Sequence, residues 1–447
     1  MKLYNSYTQQ VEDFVPMEAG KVNMYVCGPT VYNDPHIGNA RPIVVFDTLY
    51  KTFEALGYDV TYASNYTDVD DKIIKKAIEE NKTEKEITDR YIESYKQVRK
   101  DLGARNPDYT PRVTETMDKI IHFIDELVQN GSAYVVDQDV YFRVDSDSHY
   151  GELSHQKVDD LLVGARIDEN DKKENPLDFT LWKKTDQGIQ WDSPWGKGRP
   201  GWHTECVVMI QDVFKKPAID IHGGGLDLKF PHHENEMAQA RQTCNSTLAN
   251  TWIHNGMINV GKDKVKMSKS LGNVMQAKDL IEEFGGPACR WMMISTHYRA
   301  PLTISETVLE NAQKEISKIQ KPMSQAKFQL CLADKFDLNA LKDEASWKTF
   351  IEAMEDDLNT PNAISALQST VKEMNQLLRK RELDYDKLNQ LFASISGMLY
   401  VLGIDLEFHQ PSEEDKQLYC NWKQAVCNKD YATADECRAK LMELGLI

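Results

Sequence analysis

The sequence predicts an α/β protein, a parallel sheet split by an insertion and followed by an all-helical bundle. Three observations predict it. Strand-like and helix-like patterns alternate from Lys21 to Tyr66 and again from Ala218 to Val260, a differently patterned stretch separates the two runs, and beyond about Ser305 the periodicity is almost wholly helical. Length agrees, because 447 residues exceed what one compact core usually serves.

Lys21 to Val26 reads as a strand, Arg41 to Leu56 as a helix and Tyr58 to Tyr66 as a second strand, a βαβ opening. From Asp68 to Gln129 the pattern is helical, and Ala133 to Val136 with Val140 to Phe142 suggests a hairpin around Asp137-Gln138-Asp139. The polar stretch Asp168 to Asn175 and the Trp-, Gly- and Pro-rich passage from Trp182 to Trp202 read as loop. Strands at Ala218 to Ile221 and Ile253 to Val260 bracket a helix near His233 to Cys244 and resume the sheet. Helices follow at Glu306 to Gln329, Ala363 to Arg379 and Tyr385 to Leu402, and the break His409-Gln410-Pro411-Ser412 precedes a last helical pair ending at Gly445. The expected division is 1–107 and 201–304 for the two halves of the sheet domain, 108–200 for the insertion, 305–408 for the bundle and 409–447 for a small helical segment.

A content of 41% hydrophobic and 28% charged residues is that of a folded chain, not a disordered one. No apolar run approaches the ~20 residues that span a bilayer. The start, Met1-Lys2-Leu3-Tyr4-Asn5-Ser6, lacks the apolar block of a signal peptide, so a cytoplasmic protein with no membrane partner is expected. The formal charge of -17 opposes indiscriminate binding to polyphosphate backbones, and a nucleic acid partner would need a local basic surface. In such a compartment the eight cysteines are expected as thiols or metal ligands, not disulfides.

Cys27 ends the first strand, Cys206 closes Gly201-Trp202-His203-Thr204-Glu205-Cys206, and His232-His233-Glu234-Asn235-Glu236 opens a later helix, with His232 and Glu236 on one face. Two thiolates, an imidazole and a carboxylate suit zinc. Spacing leaves His233 and Glu234 open as alternative ligands. The other six cysteines sit in helical periodicity without metal-like neighbours and read as core. Pro35-His36-Ile37-Gly38-Asn39-Ala40-Arg41 heads the first helix, where N–H groups and the helix dipole favour phosphate, with His36 and Asn39 as donors and Gly38 permitting close approach. Gly261 to Ser270 is a lysine-rich loop after a strand, able to bring cations to a transferring phosphoryl group or equally to be solvated surface. Gly223, Gly224 and Gly225 follow a strand directly, where a flat ligand such as adenine could press on the backbone; a tight turn is the bland alternative.

Together these residues resemble class I aminoacyl-tRNA synthetases, and within them the bacterial-type cysteinyl-tRNA synthetases. His36-Ile37-Gly38-Asn39 resembles the HIGH signature with Asn last, and Lys266-Met267-Ser268-Lys269-Ser270 matches KMSKS in every letter. The cysteine-specific features are Tyr25-Val26-Cys27-Gly28-Pro29-Thr30-Val31-Tyr32, Thr67-Asp68-Val69-Asp70-Asp71-Lys72, the segment ending in Cys206, His222-Gly223-Gly224-Gly225 and Phe230-Pro231-His232-His233-Glu234-Asn235-Glu236. These cover 20 to 275 in order, and Asp356 to Ala363 resembles the family's anticodon-binding bundle. One departure is at the end, where many relatives carry a short strand-forming tail and this chain stops at Ile447.

The resemblance implies a Rossmann-like catalytic domain and one zinc ion on Cys27, Cys206, His232 and Glu236. It implies a cysteine pocket including Gly28, Thr67, Trp202 and Asp227. ATP, with Mg²⁺, would meet His36, Gly38, Asn39, Gly223, Gly224, Gly225, Lys266 and Lys269, of which His36, Asn39, Lys266 and Lys269 carry the chemistry. L-cysteine would be activated to cysteinyl adenylate and moved to the terminal ribose of tRNA(Cys), and the chain is read as a monomer. Zinc would take the thiol of cysteine and not the hydroxyl of serine; selectivity on the order of 10⁴ needs ~5.5 kcal/mol, which a metal bond can supply and a size difference cannot. A related ligase that joins cysteine to an amino sugar shares these sites, but has little use for a bundle from 306 onward. A catalytically idle homologue is opposed by the intact signatures.

Overall fold

A computed structural model describes residues 1–156, 172–260, 275–337 and 339–447. The chain divides into two compact units, one built on Met1–Asn259 and including Arg299–Leu302, the other on Leu280–Tyr298 and Thr303–Ile447.

The first unit begins with a hairpin of β1 (Lys2–Asn5) and β2 (Gln10–Asp13), then β3 (Lys21–Val26), α1 (Ile37–Ala55) and β4 (Asp59–Ser64). Helices α2 (Asp71–Glu80), α3 (Glu84–Asp101) and α4 (Val113–Gln129) follow, then strands β5 (Ala133–Val136), β6 (Asp139–Phe142), β7 (Phe179–Lys184) and β8 (Gly198–Pro200). After α5 (Glu205–Phe214) come β9 (Ile219–Gly225), α6 (Glu234–Cys244), β10 (Ala249–Asn255) and β11 (Ile258–Val260).

The central sheet has the order β10-β9-β3-β4, all parallel. From β3 the chain crosses by α1 to one neighbour, β4, and later returns on the other side as β9, so the winding reverses between β3 and β9. Ligands of open α/β sheets bind outside the carboxyl ends of the strands at such a point. The insertion forms a second, antiparallel sheet in the order β5-β6-β7-β8. Its hairpin turns where expected, with Asp137 and Gln138 both left-handed at φ 51° and 75°, the twist that a two-residue turn between strands demands.

Two expected strands differ most in their limits, and the passage from Trp182 to Trp202, expected as loop, holds the end of β7 and all of β8. The first expected strand after the insertion runs on through Gly223, Gly224 and Gly225, paired with Ile253, His254 and Asn255 of β10. Glycine is a weak strand former and reads as a turn, yet here the space matters more: a Cβ on Gly223 would lie 2.3 Å from the Phe46 ring of α1. The expected strand from Ile253 to Val260 starts earlier and breaks at Gly256-Met257. There the fully buried Arg41 of α1 donates to the carbonyls of Gly256 (2.7 Å), Met257 (2.9 Å) and Ala300 (2.6 Å), turning the backbone away from the ladder.

The second unit is helical. After α7 (Ala277–Phe284), whose last residues enter it, come α8 (Gly286–Ile294), α9 (Glu306–Leu332), α10 (Glu344–Glu355), α11 (Thr360–Leu378), α12 (Tyr385–Leu402), α13 (Glu413–Cys427) and α14 (Tyr431–Glu443). Apolar residues at helical spacing bury one face of each long helix, as with Leu388, Leu391, Ile395, Met398 and Leu402 of α12. The turn from α10 into α11 is Asp357-Leu358, both left-handed, and Asn359 caps α11 by accepting the Asn362 N–H at 3.3 Å. The last pair closes on the end of α9, where Phe328, Leu441 and Leu446 form a small core flanked by Leu418 and Trp422.

Helix α12 ends on Gly403 at φ 68°, and the carbonyl of Leu402 accepts from the buried Arg290 Nε at 2.5 Å. A Cβ at Gly403 would stand 2.0 Å from the Arg290 guanidinium carbon. Gly403→Ala is therefore expected to cost the helical unit about 2 kcal/mol or more, from the left-handed backbone and the collision together, read as an earlier midpoint in urea unfolding followed by circular dichroism.

Candidate active site

The winding reversal places the ends of β3 and β9 side by side. Cys27 follows β3, and its N–H donates to the Gly223 carbonyl at 3.0 Å. Helix α5 brings the buried Cys206 from one side, and the segment leading into α6 brings His232 and Glu236 one helical turn apart. One donor atom from each of Cys27, Cys206, His232 and Glu236 lies within 4.8 Å of the others. The sulfurs are 3.4 Å apart, Cys27 Sγ is 3.5 Å from Glu236 Oε1, Cys206 Sγ is 3.8 Å from His232 Nε2, and His232 Nε2 is 2.8 Å from Glu236 Oε1. Donors roughly 2.0–2.3 Å from one tetrahedral centre stand roughly 3.3–3.8 Å from each other, so three of these four separations match and the last closes as an ion pair. The donor set fits zinc.

Of the alternatives that spacing left open, Glu234 is committed elsewhere, its oxygens accepting the N–H groups of Gly151 (2.9 Å) and Ser154 (2.7 Å). His233 does face the cluster, with Nε2 3.3 Å from Cys27 Sγ. It belongs to a second, overlapping group of Cys27, His222, His233 and Glu236.

Electrostatics follow from burial. Desolvation disfavours the Glu236 carboxylate, but His232 and His222 outweigh it and hold the carboxyl well below its ordinary range. Burial disfavours a charged His232, and the same carboxylate with the Cys206 thiol reverses the sign and pushes the ring up to about 10. Burial pushes the Cys27 thiol up, with the neighbouring Cys206 and Glu236 adding to it, while the Cys27 contact lowers Cys206 to about 7. The outer atoms are fixed too. His222 Nε2 meets the second Glu236 oxygen at 2.6 Å, and His203 Nδ1 lies 3.0 Å from His232 Nδ1.

Three of the four residues expected for a substrate, Trp202, Gly28 and Thr67, connect to the cluster or to its sequence neighbours. Trp202 stacks on His232 with ring centroids 4.2 Å apart and remains 42% exposed, a wall open on its outer side. Gly28 donates its N–H to Asn65 Oδ1 at 2.8 Å, and a Cβ there would fall 1.6 Å from the Asn65 carbonyl oxygen. Thr67 is fully buried; its hydroxyl donates to Glu205 at 2.7 Å and accepts from Asn65 Nδ2 at 3.2 Å. Asp227 lies in a short turn after β9, its Oδ1 2.4 Å from where a Gly225 Cβ would be. Sequence reasoning missed Asn65, Glu205, His203 and His222 as parts of this network, although His203, Glu205 and His222 stand in segments that were singled out.

At the head of α1, His36 is the cap: Nδ1 accepts the Asn39 N–H at 3.3 Å while Asn39 Oδ1 accepts the His36 N–H at 3.1 Å. Burial lowers the His36 pKa, so the ring is neutral near pH 7 and, with Nδ1 accepting, carries its proton on Nε2. The expected cradle of open N–H groups is narrower than the sequence implied, because Ile37 N–H is also taken, by the Met275 carbonyl at 2.9 Å. Lys266 and Lys269 lie outside the described residues.

The family model "tRNA synthetases class I (C) catalytic domain" matches residues 13–314, and the "DALR domain" model matches 349–407. A solved methionyl-tRNA synthetase of Mycobacterium tuberculosis in complex with methionyl-adenylate shares the fold, with a TM-score of 0.62 at 13% identity over 86% of this chain and 89% of that one. The fold and the matched domains are those of a class I aminoacyl-tRNA synthetase, with a helical C-terminal DALR domain. Curated relatives are closer in sequence: the cysteine–tRNA ligases of Oceanobacillus iheyensis and Acholeplasma laidlawii are each 44% identical over 100% of this chain, covering 97% and 100% of their own lengths. The chain belongs to the cysteine–tRNA ligase family, enzymes that form an aminoacyl-tRNA. No helix among the described residues is long and apolar enough to cross a membrane.

Two outcomes are expected. Gly28→Ala would force the Asn65 backbone to move, so if Gly28 lines the cysteine pocket that the resemblance implies, cysteine binding by calorimetry should fall beyond detection in a variant that still shows native circular dichroism. Both thiols must lose protons to hold a metal, so protons compete with it, and metal affinity should fall by about tenfold or more per pH unit below pH 7, as read by chelator competition.

Proposed function

We propose that the chain activates L-cysteine with ATP to cysteinyl adenylate and passes it to the terminal ribose of tRNA(Cys), choosing cysteine by its thiol at a zinc site of Cys27, Cys206, His232 and Glu236. The observation that carries this is the set of a half-buried and a buried thiol, a buried imidazole and a buried carboxylate at the winding reversal. When bound there, zinc supplies a soft cation that favours a thiolate donor over a hydroxyl.

The chain's own side chains do the rest. Trp202 stacked on His232 walls the side-chain pocket, and the Asp227 carboxylate suits the α-ammonium group. The carboxylate of cysteine attacks the α-phosphate of ATP and pyrophosphate leaves. His36 donates through Nε2–H and Asn39 through its amide N–H₂, whose oxygen is spent on the cap, while the dipole of α1 favours the phosphate charge. Lys266 and Lys269 add cationic donors by their motif, Mg²⁺ accompanies ATP, and the glycines of β9 lie against the nucleotide. The insertion steers the acceptor end of tRNA and the helical unit meets the anticodon. Supporting the last point, Lys318, Lys321, Lys372 and Arg379 line a groove of about 920 Å³ between α9 and α11, a local basic surface of the kind an acidic chain needs for RNA.

The test is pyrophosphate exchange into ATP with the purified chain. Exchange should depend on cysteine and not on serine, and no exchange with cysteine would overturn the reading. Cys206→Ser should lose the tightly held metal of this site, by elemental analysis of the chain purified without added metal, and lower cysteine-dependent exchange at least about 100-fold.

A further inference from the structure

The two overlapping ligand groups at the winding reversal divide their shared members in a way that one metal ion does not require. Glu236 offers Oε1 to one side, 2.8 Å from His232 Nε2, and Oε2 to the other, 2.6 Å from His222 Nε2. Cys27 Sγ is 3.4 Å from Cys206 Sγ and 3.3 Å from His233 Nε2. Donor atoms of Cys27, His222, His233 and Glu236 lie within 4.8 Å of one another.

The second group also has the outer hydrogen bonds that metal-ligating histidines use. His222 Nδ1 lies 3.2 Å from the Tyr25 carbonyl oxygen, an acceptor only, so that nitrogen carries a proton, and Nε2, which meets Glu236 Oε2 without a metal, is the nitrogen a metal would take in place of that hydrogen bond. His233 Nδ1 lies 2.8 Å from His254 Nε2, and His254 Nδ1 lies 2.8 Å from Ser6 Oγ. Donation outward along that chain leaves His233 Nε2 bare toward Cys27. Trp252, fully buried, packs against both rings with centroids 4.6 and 5.3 Å away and sets their planes.

We propose that Cys27, His222, His233 and Glu236 form a second position for a soft divalent metal, bridged to the first through the Cys27 thiolate and the Glu236 carboxylate. Bridged pairs of this kind hold ions about 3.5–4 Å apart. With one thiolate in place of two, the second position binds more weakly. This rests on reading Cys27, Cys206, His232 and Glu236 as the first site.

Cadmium tests it on the full chain stripped of metal. Equilibrium dialysis with elemental analysis is expected to find two equivalents, the second at least about tenfold weaker, and cadmium NMR two resonances of different sulfur content. A combined His222→Asn and His233→Ala variant should keep the first equivalent and lose the second, whereas Cys206→Ser should weaken the first at least about 100-fold and keep the second. One equivalent with one resonance in the unaltered chain overturns the inference, as does a second equivalent undiminished in the double variant. Should that variant not fold, by circular dichroism, the resonance count of the unaltered chain decides. A first equivalent untouched by Cys206→Ser would instead sink the reading of the first site, a separate result.

Discussion

An ionised carboxylate with no exposed surface, Glu236, is the constraint on which the site depends. Leaving an ion of this size without water costs several kcal/mol unless it is closely paired. Glu236 meets His232 from its own helical face and His222 from β9, and each of those rings is held in turn, by His203 and by the Tyr25 carbonyl. The anion therefore dictates where α6 begins relative to β9, and through β9 where β3 must end. Disruption of any one partner leaves a charge in the interior, a far larger penalty than a lost surface hydrogen bond.

The glycines closing β9 show how such packing is written into the chain. Their missing side chains alternate between faces, as strand geometry requires. Gly223 makes room for Phe46 of α1, and Gly224 for Leu228 and the His233 ring. The same bare backbone is therefore needed by the helix that carries His36 and by the ligand cluster.

What could be read from the sequence follows the same division. The βα alternation and the long amphipathic helices were legible because burial imposes a period on them, and α12 falls on its expected limits, Tyr385 and Leu402. The strand through Gly223 to Gly225 was not, because glycine's local preference is overridden by a contact with a residue some 180 positions away in the chain. Cysteines and histidines announce their chemistry by type. Asn65, Thr67 and Glu205 do not: an amide, a hydroxyl and a carboxyl are common everywhere, and only the fold reveals that they link Gly28, beside one thiol, to the residue before the other. Glu234 and Glu236 are indistinguishable by type, and what separates them is that the backbone N–H groups of Gly151 and Ser154 claim the former.

His36 would tie its folding role and its proposed chemical role to one side chain. As a cap it must accept through Nδ1, and a protonated ring could not. Burial keeps the ring neutral near pH 7, which preserves the cap and at the same time leaves Nε2–H as the only proton it can offer outward. A lysine would bring more charge to a phosphate but has no acceptor with which to start the helix. Asn39 repeats the arrangement, its oxygen accepting from the backbone and its amide protons left over. The first turn of α1 thus acquires directed donors as a consequence of how it is terminated, which is what the proposed phosphate site would use.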